Sequence, residues 1–357
     1  MREFSFHWNG IHHTIYDDSP PFIVAEIGHN HGGNLQTCID IIKAAKSSGC
    51  HAVKLQKRNN KKLYTTGLYH TVYDNRNSYG YTYGEHREAL EFDAAEYHEI
   101  IRFCKDIDIV FFATAFDEDS VDFLCDRDIP IIKVQSGDCE NIKLLKYISK
   151  TLKPCIISTG GTEYPTIAKA KKAFEHNNFA FLHCVSQYPT PDGAVNLLAI
   201  DKLREKNKNN IIGFSSHSNG VLAGVAAYMR GAKIIEQHFT IDRTMKGSDH
   251  AMSLDPRGMA KLCSYLKRIR KMQFPPSARK RNLEEERKQS LKLRKAMYLN
   301  KKIKEGYKFC IHDIDIKSPG ALDAYSVGNI YTIGGKVADR DYEAGQLITK
   351  EIYNNFK

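Results

Sequence analysis

Between residues 22 and 272 the chain repeats one pattern: a short β-branched or apolar run, a polar turn, then a segment with apolar residues at helical spacing. The runs predict strands over 22–27, 52–56, 109–114, 131–135, 155–158, 179–184, 211–214 and 233–237. The segments between them predict helices over 34–48, 94–107, 117–127, 141–151, 164–176, 198–207, 219–230 and 256–272, with Asn34 and Asp117 offering N-cap chemistry. Eight alternations over about 250 residues are the signature of an α/β fold of the (β/α)8 TIM-barrel type. A doubly wound open sheet would need a Gly-rich phosphate loop after its first strand, and Gly28-His29-Asn30-His31-Gly32-Gly33 does not fit that fingerprint. A long insertion at 57–92, rich in Tyr, Asn and Gly, interrupts the second repeat and suggests a binding loop over the barrel mouth.

After Pro275-Pro276 the pattern changes. A basic linker over 276–295 leads into short predicted strands at 296–299, 315–317 and 335–337, separated by Gly and Pro-Gly turns. The expected organisation is a barrel domain over 1–275, the linker, and a small β-rich domain over 296–357.

Composition narrows the function classes. With 42% apolar and 26% charged residues the chain is neither disordered nor fibrous, and no apolar run approaches the roughly 18 residues of a spanning helix. No secretory signal is visible at the amino terminus, so a soluble, cytoplasmic protein is expected, with no membrane partner. Nine cysteines are scattered singly with no CxxC pair, which fits reduced thiols acting as small hydrophobes. The net charge of +10 is concentrated between Lys267 and Glu305, where 15 basic residues face 4 acidic ones. Only Phe274 and Tyr298 are aromatic there, too few for a base-stacking surface, so a solvated helix face is expected and no nucleic acid partner. His12-His13, before the barrel, is expected at the surface.

Barrel chemistry belongs at the carboxyl ends of the strands. The predicted ends carry Glu26, Lys54 with Gln56, Lys133 running into Ser136 and Asp138, Ser158, Ser186 with Tyr188, Ser215 with His217, and Glu236 with His238. Two lysines and three serines (136, 158 and 215) beside Gly-rich turns supply what a small phosphorylated anion needs, although each alone would be an ordinary solvated residue. His217 and His238 end consecutive strands about 5 Å apart, close enough for both imidazoles to reach one metal. A lone histidine is more often a hydrogen-bonded core residue, so the pairing carries the metal reading. His29 and His31 lie at the same mouth. Asp249, in Lys246-Gly247-Ser248-Asp249-His250, is either a nearby carboxylate or turn chemistry.

The runs AEIGHNHGG at 25–33, VKLQK at 53–57, TYGEHREALEF at 82–92 and KVQSGD at 133–138 resemble the sialic acid synthase family. So do ISTGG at 157–161, LHCVSQYPTP at 182–191, IGFSSHS at 212–218 and EQHFTIDRTMKGSDH at 236–250. The tail is similar to the antifreeze-like (SAF) domain that ends these enzymes. The resemblance implies condensation of phosphoenolpyruvate with an N-acetylmannosamine-like aldose, giving a nine-carbon 2-keto sugar acid and phosphate. It also implies a divalent metal, manganese first with magnesium or cobalt as alternatives, and a domain-swapped homodimer. Carried over by position, Lys54, Lys133, Ser136, Ser158, Ser186 and Ser215 match phosphoenolpyruvate contacts, and His217 and His238 match metal ligands. Gln56, Tyr188 and Asp249 match sugar contacts, Glu26 matches an acidic residue at the reacting centre, and Asp138 stands where many bacterial relatives have Glu. Lys317 replaces the arginine of an Arg-Pro-Gly run that reaches the partner's sugar, a point charge in place of a planar fork.

The expected mechanism has C3 of phosphoenolpyruvate as nucleophile, an aldehyde polarised by the metal, and Glu26 or Asp138 as general base for the water that adds at C2. Alternatives within the same chemistry are synthases for legionaminic, pseudaminic or deaminated neuraminic acid, or one using a 6-phosphorylated acceptor. Outside it stand a metal-dependent barrel hydrolase and a non-catalytic carbohydrate-binding protein.

Overall fold

Short apolar runs separated by helical segments build eight parallel strands that close on themselves. They are β3 (Phe22–Gly28), β4 (Ala52–Lys57), β5 (Val110–Ala115), β6 (Ile132–Val134), β7 (Cys155–Ser158), β8 (Phe179–Cys184), β9 (Ile212–Ser216) and β10 (Ile234–His238). Each pairs with its sequence neighbour, and β10 returns to β3, Ile234 opposite Phe22, to complete the barrel. The computed structural model describes residues 2–273 and 284–357. A helix follows each barrel strand: Leu35–Ser47, Ala94–Asp106, Glu118–Cys125, Ile142–Lys150, Tyr164–Lys172, Leu198–Lys206, Leu222–Met229 and Pro256–Gln273. The predicted caps are present, Asn34 accepting from Thr37 N–H and Asp117 from Ser120 N–H. Because helices cover the outer face and side chains fill the interior, the strands read as continuous apolar runs broken only near their carboxyl ends.

The sequence reading did not foresee the hairpin before the barrel, β1 (Glu3–Trp8) and β2 (Ile11–Tyr16). Its signal is the Asn9-Gly10 pair, which takes positive φ at both positions (50° and 77°), as a tight hairpin turn demands. Phe4, Phe6 and Trp8 alternate inward and are buried. Phe6 meets the Phe22 ring edge-on at 5.7 Å between centroids, and Asn178, just before β8, exchanges hydrogen bonds with the Ser5 backbone. The hairpin therefore lies against the amino-terminal end of the barrel, opposite the mouth. His12 is exposed as expected, but His13 is half-buried and stacks on Phe6. A Phe6→Ala variant should lose about 3–5 kcal/mol of stability, read as a lower urea midpoint; an unchanged midpoint would show that the hairpin contributes nothing to the barrel.

The insertion after β4 folds into short helices, Asn60–Leu63, Thr66–Tyr69 and Tyr83–Glu88, the last closed by a reciprocal Thr82–Glu85 capping box. By contacts the chain divides into two compact units, Met1–Pro275 and Pro276–Lys357. Pro275-Pro276 and the start of the basic segment lie outside the described residues; Glu284–Ser290 is a helix. In the second unit β11 (Ala296–Leu299) pairs antiparallel with β12 (Ile314–Lys317) around Met297, Leu299, Phe309, Ile348 and Phe356. The strand expected at 335–337 is instead a single bridge from Val337 to Lys308, because turns on either side leave no room for a ladder. All nine cysteines are free thiols. Among the described residues no helix is long and apolar enough to cross a membrane.

Candidate active site

Strand register assembles the site. Glu26 lies opposite Lys54 on one side and His238 on the other, Thr114 opposite both Gln56 and Lys133, and Ser215 opposite both Cys184 and Glu236. Side chains two residues apart along a strand share a face, so Lys54 with Gln56, Ser215 with His217, and Glu236 with His238 point the same way. They meet in a cavity of about 910 Å³ at the carboxyl ends of the strands.

On the floor, Lys54 Nζ lies 2.5 Å from Glu26 Oε2 and donates to Thr114 Oγ1 at 2.8 Å. Gln56 Nε2 donates to Glu26 Oε1 at 2.7 Å, so both oxygens of this carboxylate are engaged. Lys133 Nζ donates to Ser158 Oγ at 2.6 Å and to Val134 O at 2.8 Å. Its burial is complete enough to pull its pKa down, an effect opposed by the negative charge of Glu236. Ser215 Oγ donates to Glu236 Oε1 at 2.9 Å, while Glu236 Oε2 is buried without a hydrogen-bond partner. Burial alone would raise the Glu236 pKa, but Lys54, Lys133 and the Ser215 hydroxyl outweigh it and hold the carboxyl below its ordinary value. Around Gly160 the loops come very close: a Cβ there would sit 2.3 Å from Ser186 Oγ and 2.8 Å from Ser136 Oγ, and Gly160 N–H donates to Ser136 Oγ at 2.9 Å. Only glycine lets two hydroxyls and a backbone amide converge at that point.

The two imidazoles stand beside this cradle, ring centroids 5.4 Å apart. His217 contacts Val185 O through Nδ1 at 2.7 Å; burial first, then the neighbouring His238, lowers its pKa to about 4, so the ring is neutral. With Nδ1–H donated to a carbonyl, Nε2 keeps its lone pair, the arrangement typical of a metal-binding histidine. Tyr188 stacks on His217 at 3.9 Å. His238 Nδ1 is buried without a hydrogen-bond partner, 3.8 Å from Asp249 Oδ2. Charge supplies a second argument: Lys54 and Lys133 are balanced by Glu26 and Glu236, so the floor has no net charge to attract an anion until a divalent cation is added. The donor set therefore fits a metal held by two imidazoles and completed by water or substrate oxygens. Among the described residues no group of three His, Cys, Asp or Glu side chains forms a complete protein ligand set.

Glu26, Lys54, Gln56, Lys133, Ser136, Ser158, Ser186, Tyr188, Ser215, His217, His238 and Asp249 all line this cavity. Asp138 does not. It lies in the short turn Ser136–Asp138, and its oxygens accept from Gln135 Nε2 and Asn141 Nδ2, so it orients Gln135, which does line the wall. Lys317, at the end of β12 in the second unit, is exposed and pairs with Asp315 at 2.5 Å. Sequence reasoning put Glu236 at a strand end but gave neither it nor Cys184 a role, and it missed Thr114 on the floor and Arg58 and Arg87 on the wall. Glu236 follows from period-two alternation from His238, and Arg58 from the same count beyond Lys54 and Gln56; Arg87, inside the insertion, carried no such signal.

Buried neutral imidazoles near the mouth make stability depend on pH. Burial lowers the His31 pKa to about 3 and that of His86 to about 4, whereas an unfolded imidazole titrates near 6.5. The folded pKa values are depressed, so between pH 6.5 and 4 the unfolded chain binds more protons and stability falls with falling pH. Each such ring should cost on the order of 1–2 kcal/mol between pH 7 and pH 5. Urea midpoints at those two pH values should differ accordingly; equal midpoints would contradict the buried-neutral assignment.

The NeuB family model matches residues 41–274, nearly the whole barrel. The chain is similar to N-acetylneuraminate-9-phosphate synthase of Drosophila melanogaster, 33% identical with 93% of this chain and 96% of the relative covered. It is also similar to N,N'-diacetyllegionaminic acid synthase of Campylobacter jejuni, 32% identical with 91% and 98% covered. Among solved structures, N-acetylneuraminic acid synthetase from Leptospira borgpetersenii superposes with a TM-score of 0.69 at 30% identity, covering 81% of this chain and 96% of that one. With the barrel, the strand-end residues and these likenesses together, this chain belongs to the NeuB family of nonulosonic acid synthases.

Proposed function

We propose that this enzyme condenses phosphoenolpyruvate with N-acetylmannosamine or a close relative, forming a nine-carbon 2-keto sugar acid and phosphate. The observation that carries the reading is the joining of a lysine–serine anion cradle and a pair of imidazoles in one cavity. Lys54, Lys133, Ser136, Ser158, Ser186 and Ser215 hold the phosphate and carboxylate of phosphoenolpyruvate, charge-assisted donors being the strongest available in a buried site. His217 and His238 would hold a divalent cation, manganese first with magnesium or cobalt as alternatives, whose chemistry when bound is to polarise the acceptor carbonyl. Gln56, Tyr188 and Asp249 orient the sugar so that its aldehyde carbon faces C3 of phosphoenolpyruvate.

Carbon–carbon bond formation leaves positive charge at C2, and water adds there. Glu26, fixed by Lys54 and Gln56, takes the water proton; Asp138, turned toward Asn141, acts through Gln135. Collapse of the adduct breaks the C2–O bond, forms the keto group and releases phosphate, its charge held by Lys54 and Lys133. The reading includes a cytoplasmic setting, suited to nine free thiols, and a homodimer in which Lys317 of the partner subunit reaches the sugar. A second reading, in which the acceptor carries a phosphate at position 6, is favoured by the N-acetylneuraminate-9-phosphate synthases of Drosophila melanogaster and Homo sapiens among its relatives. A hydrolase would have no use for so dedicated an anion cradle.

The test is phosphate release from phosphoenolpyruvate, with and without added metal, across free and 6-phosphorylated hexosamines. Release that needs both an acceptor and a divalent cation is expected. No release with any acceptor would favour the hydrolase or the binding protein.

A further inference from the structure

The wall of the cavity carries positive charge that the condensation chemistry leaves unused. Arg58 is buried, 7% exposed, and its guanidinium lies 3.7 Å over the Phe116 ring; Arg87 lies over Tyr83 at 4.9 Å and donates to its hydroxyl at 2.8 Å. Both face the same imidazole, Arg58 Nη1 at 2.6 Å from His29 Nε2 and Arg87 Nη1 at 3.2 Å from His29 Nδ1. Burial, and then the two guanidiniums, push the His29 pKa well down, so the ring is neutral and offers a single acceptor to two donors. One of the two contacts is therefore donor against donor.

The arginine Nε atoms are also buried without hydrogen-bond partners. The nearby carboxylate, Glu91, lies 3.6 Å from Arg58 but is shared with Lys57 at 3.2 Å. Lys57, Arg58 and Arg87 against Glu91 leave a balance of +2, with more donors than the protein accepts. Gln56 and Glu26 separate this cluster from Lys54: Gln56 Oε1 accepts from Arg58, and Gln56 Nε2 donates to Glu26. The cluster is thus a second cationic centre in the same cavity, distinct from the lysine–serine cradle.

We propose that Arg58 and Arg87 form a second anion subsite, which takes a phosphoryl group carried by the acceptor sugar at the end away from its reacting carbonyl. Two planar forks with a spare balance of +2 match a dianion, and the flanking rings of Phe116 and Tyr83 hold the forks in place. The inference rests on the proposed condensation and specifies its acceptor.

The test compares N-acetylmannosamine with its 6-phosphate as acceptors for the full chain and for Arg87→Met and Arg58→Lys. The unsubstituted chain should use the phosphorylated sugar with a KM at least about tenfold lower, and Arg87→Met should erase most of that preference while the KM for phosphoenolpyruvate stays within about twofold. Arg58→Lys, which keeps the charge and loses the fork, should give an intermediate preference. Equal losses with both sugars, at an unchanged melting midpoint, would show a packing role and overturn the subsite, as would a preference for the free sugar in the unsubstituted chain. Calorimetric binding separates this proposal from the reaction. If no acceptor released phosphate, the condensation reading would fall, and tenfold weaker binding of N-acetylmannosamine 6-phosphate to Arg87→Met would still support the subsite. Binding of that sugar no tighter than the free one would overturn it.

Discussion

A His217→Ala variant should lose turnover and metal retention together, with turnover falling at least about 1,000-fold. The side chain sits where several constraints meet: its Nδ1 is committed to Val185 O, its ring is stacked by Tyr188, and burial keeps it neutral with a pKa of about 4. A metal held by two protein imidazoles has no ligand to spare, so loss of one should remove the cation as well as the activity. Manganese content after gel filtration is the second readout. Full activity in a variant that retains no metal would remove the cation from the scheme, whereas a dead variant that retains it would move His217 from ligand to another role. Because alanine also leaves a void beside Tyr188, the melting midpoint must accompany both measurements.

The second large effect is expected at Lys133. In Lys133→Met the stem is kept and the ammonium lost, removing the donor to Ser158 and one of the two cations that keep Glu236 ionised. Phosphate release should slow by on the order of 10²–10³ through loss of charge stabilisation on the departing group, and the phosphoenolpyruvate requirement should rise as well. The sign for Glu236 follows: with one of its two cations gone, less opposes the effect of burial and its carboxyl pKa moves up. A parallel Lys54→Ala variant should raise the phosphoenolpyruvate requirement sharply through the same charge argument; unchanged kinetics in either would refute the assigned role.

Much of the fold was legible because the barrel repeats one local rule. The strand expected at 155–158 is β7, and that at 179–184 is β8, without adjustment. The expected 131–135 shortens to Ile132–Val134 because Gln135 already turns into the Ser136–Asp138 helix turn, a change of backbone direction that apolar patterning does not register. The same turn explains why Asp138, two residues from Ser136, leaves the cavity: adjacency in sequence says nothing about direction once the period changes. The amino-terminal hairpin was missed although Asn9-Gly10 marks it, because its apolar positions face the underside of the barrel rather than joining the repeat.

The site followed a similar division. Residues at strand ends could be placed by counting, since strand register alone brings Glu26, Lys54 and His238 side by side. Arg87 could not, because it lies in the short helix Tyr83–Glu88, whose direction is set by packing and not by any period of the strands; Arg58, directly after β4, continues the Lys54 and Gln56 face and was overlooked.

The most direct measurement of the central claim uses phosphoenolpyruvate labelled with ¹⁸O at the bridging C2–O–P position, with metal and an aldose acceptor present. Collapse of a C2 adduct held by Lys54 and Lys133 predicts that the label leaves in inorganic phosphate, alongside a keto acid three carbons longer than the sugar. Label retained on the carbon product, or phosphate released at the same rate without any acceptor, would contradict it.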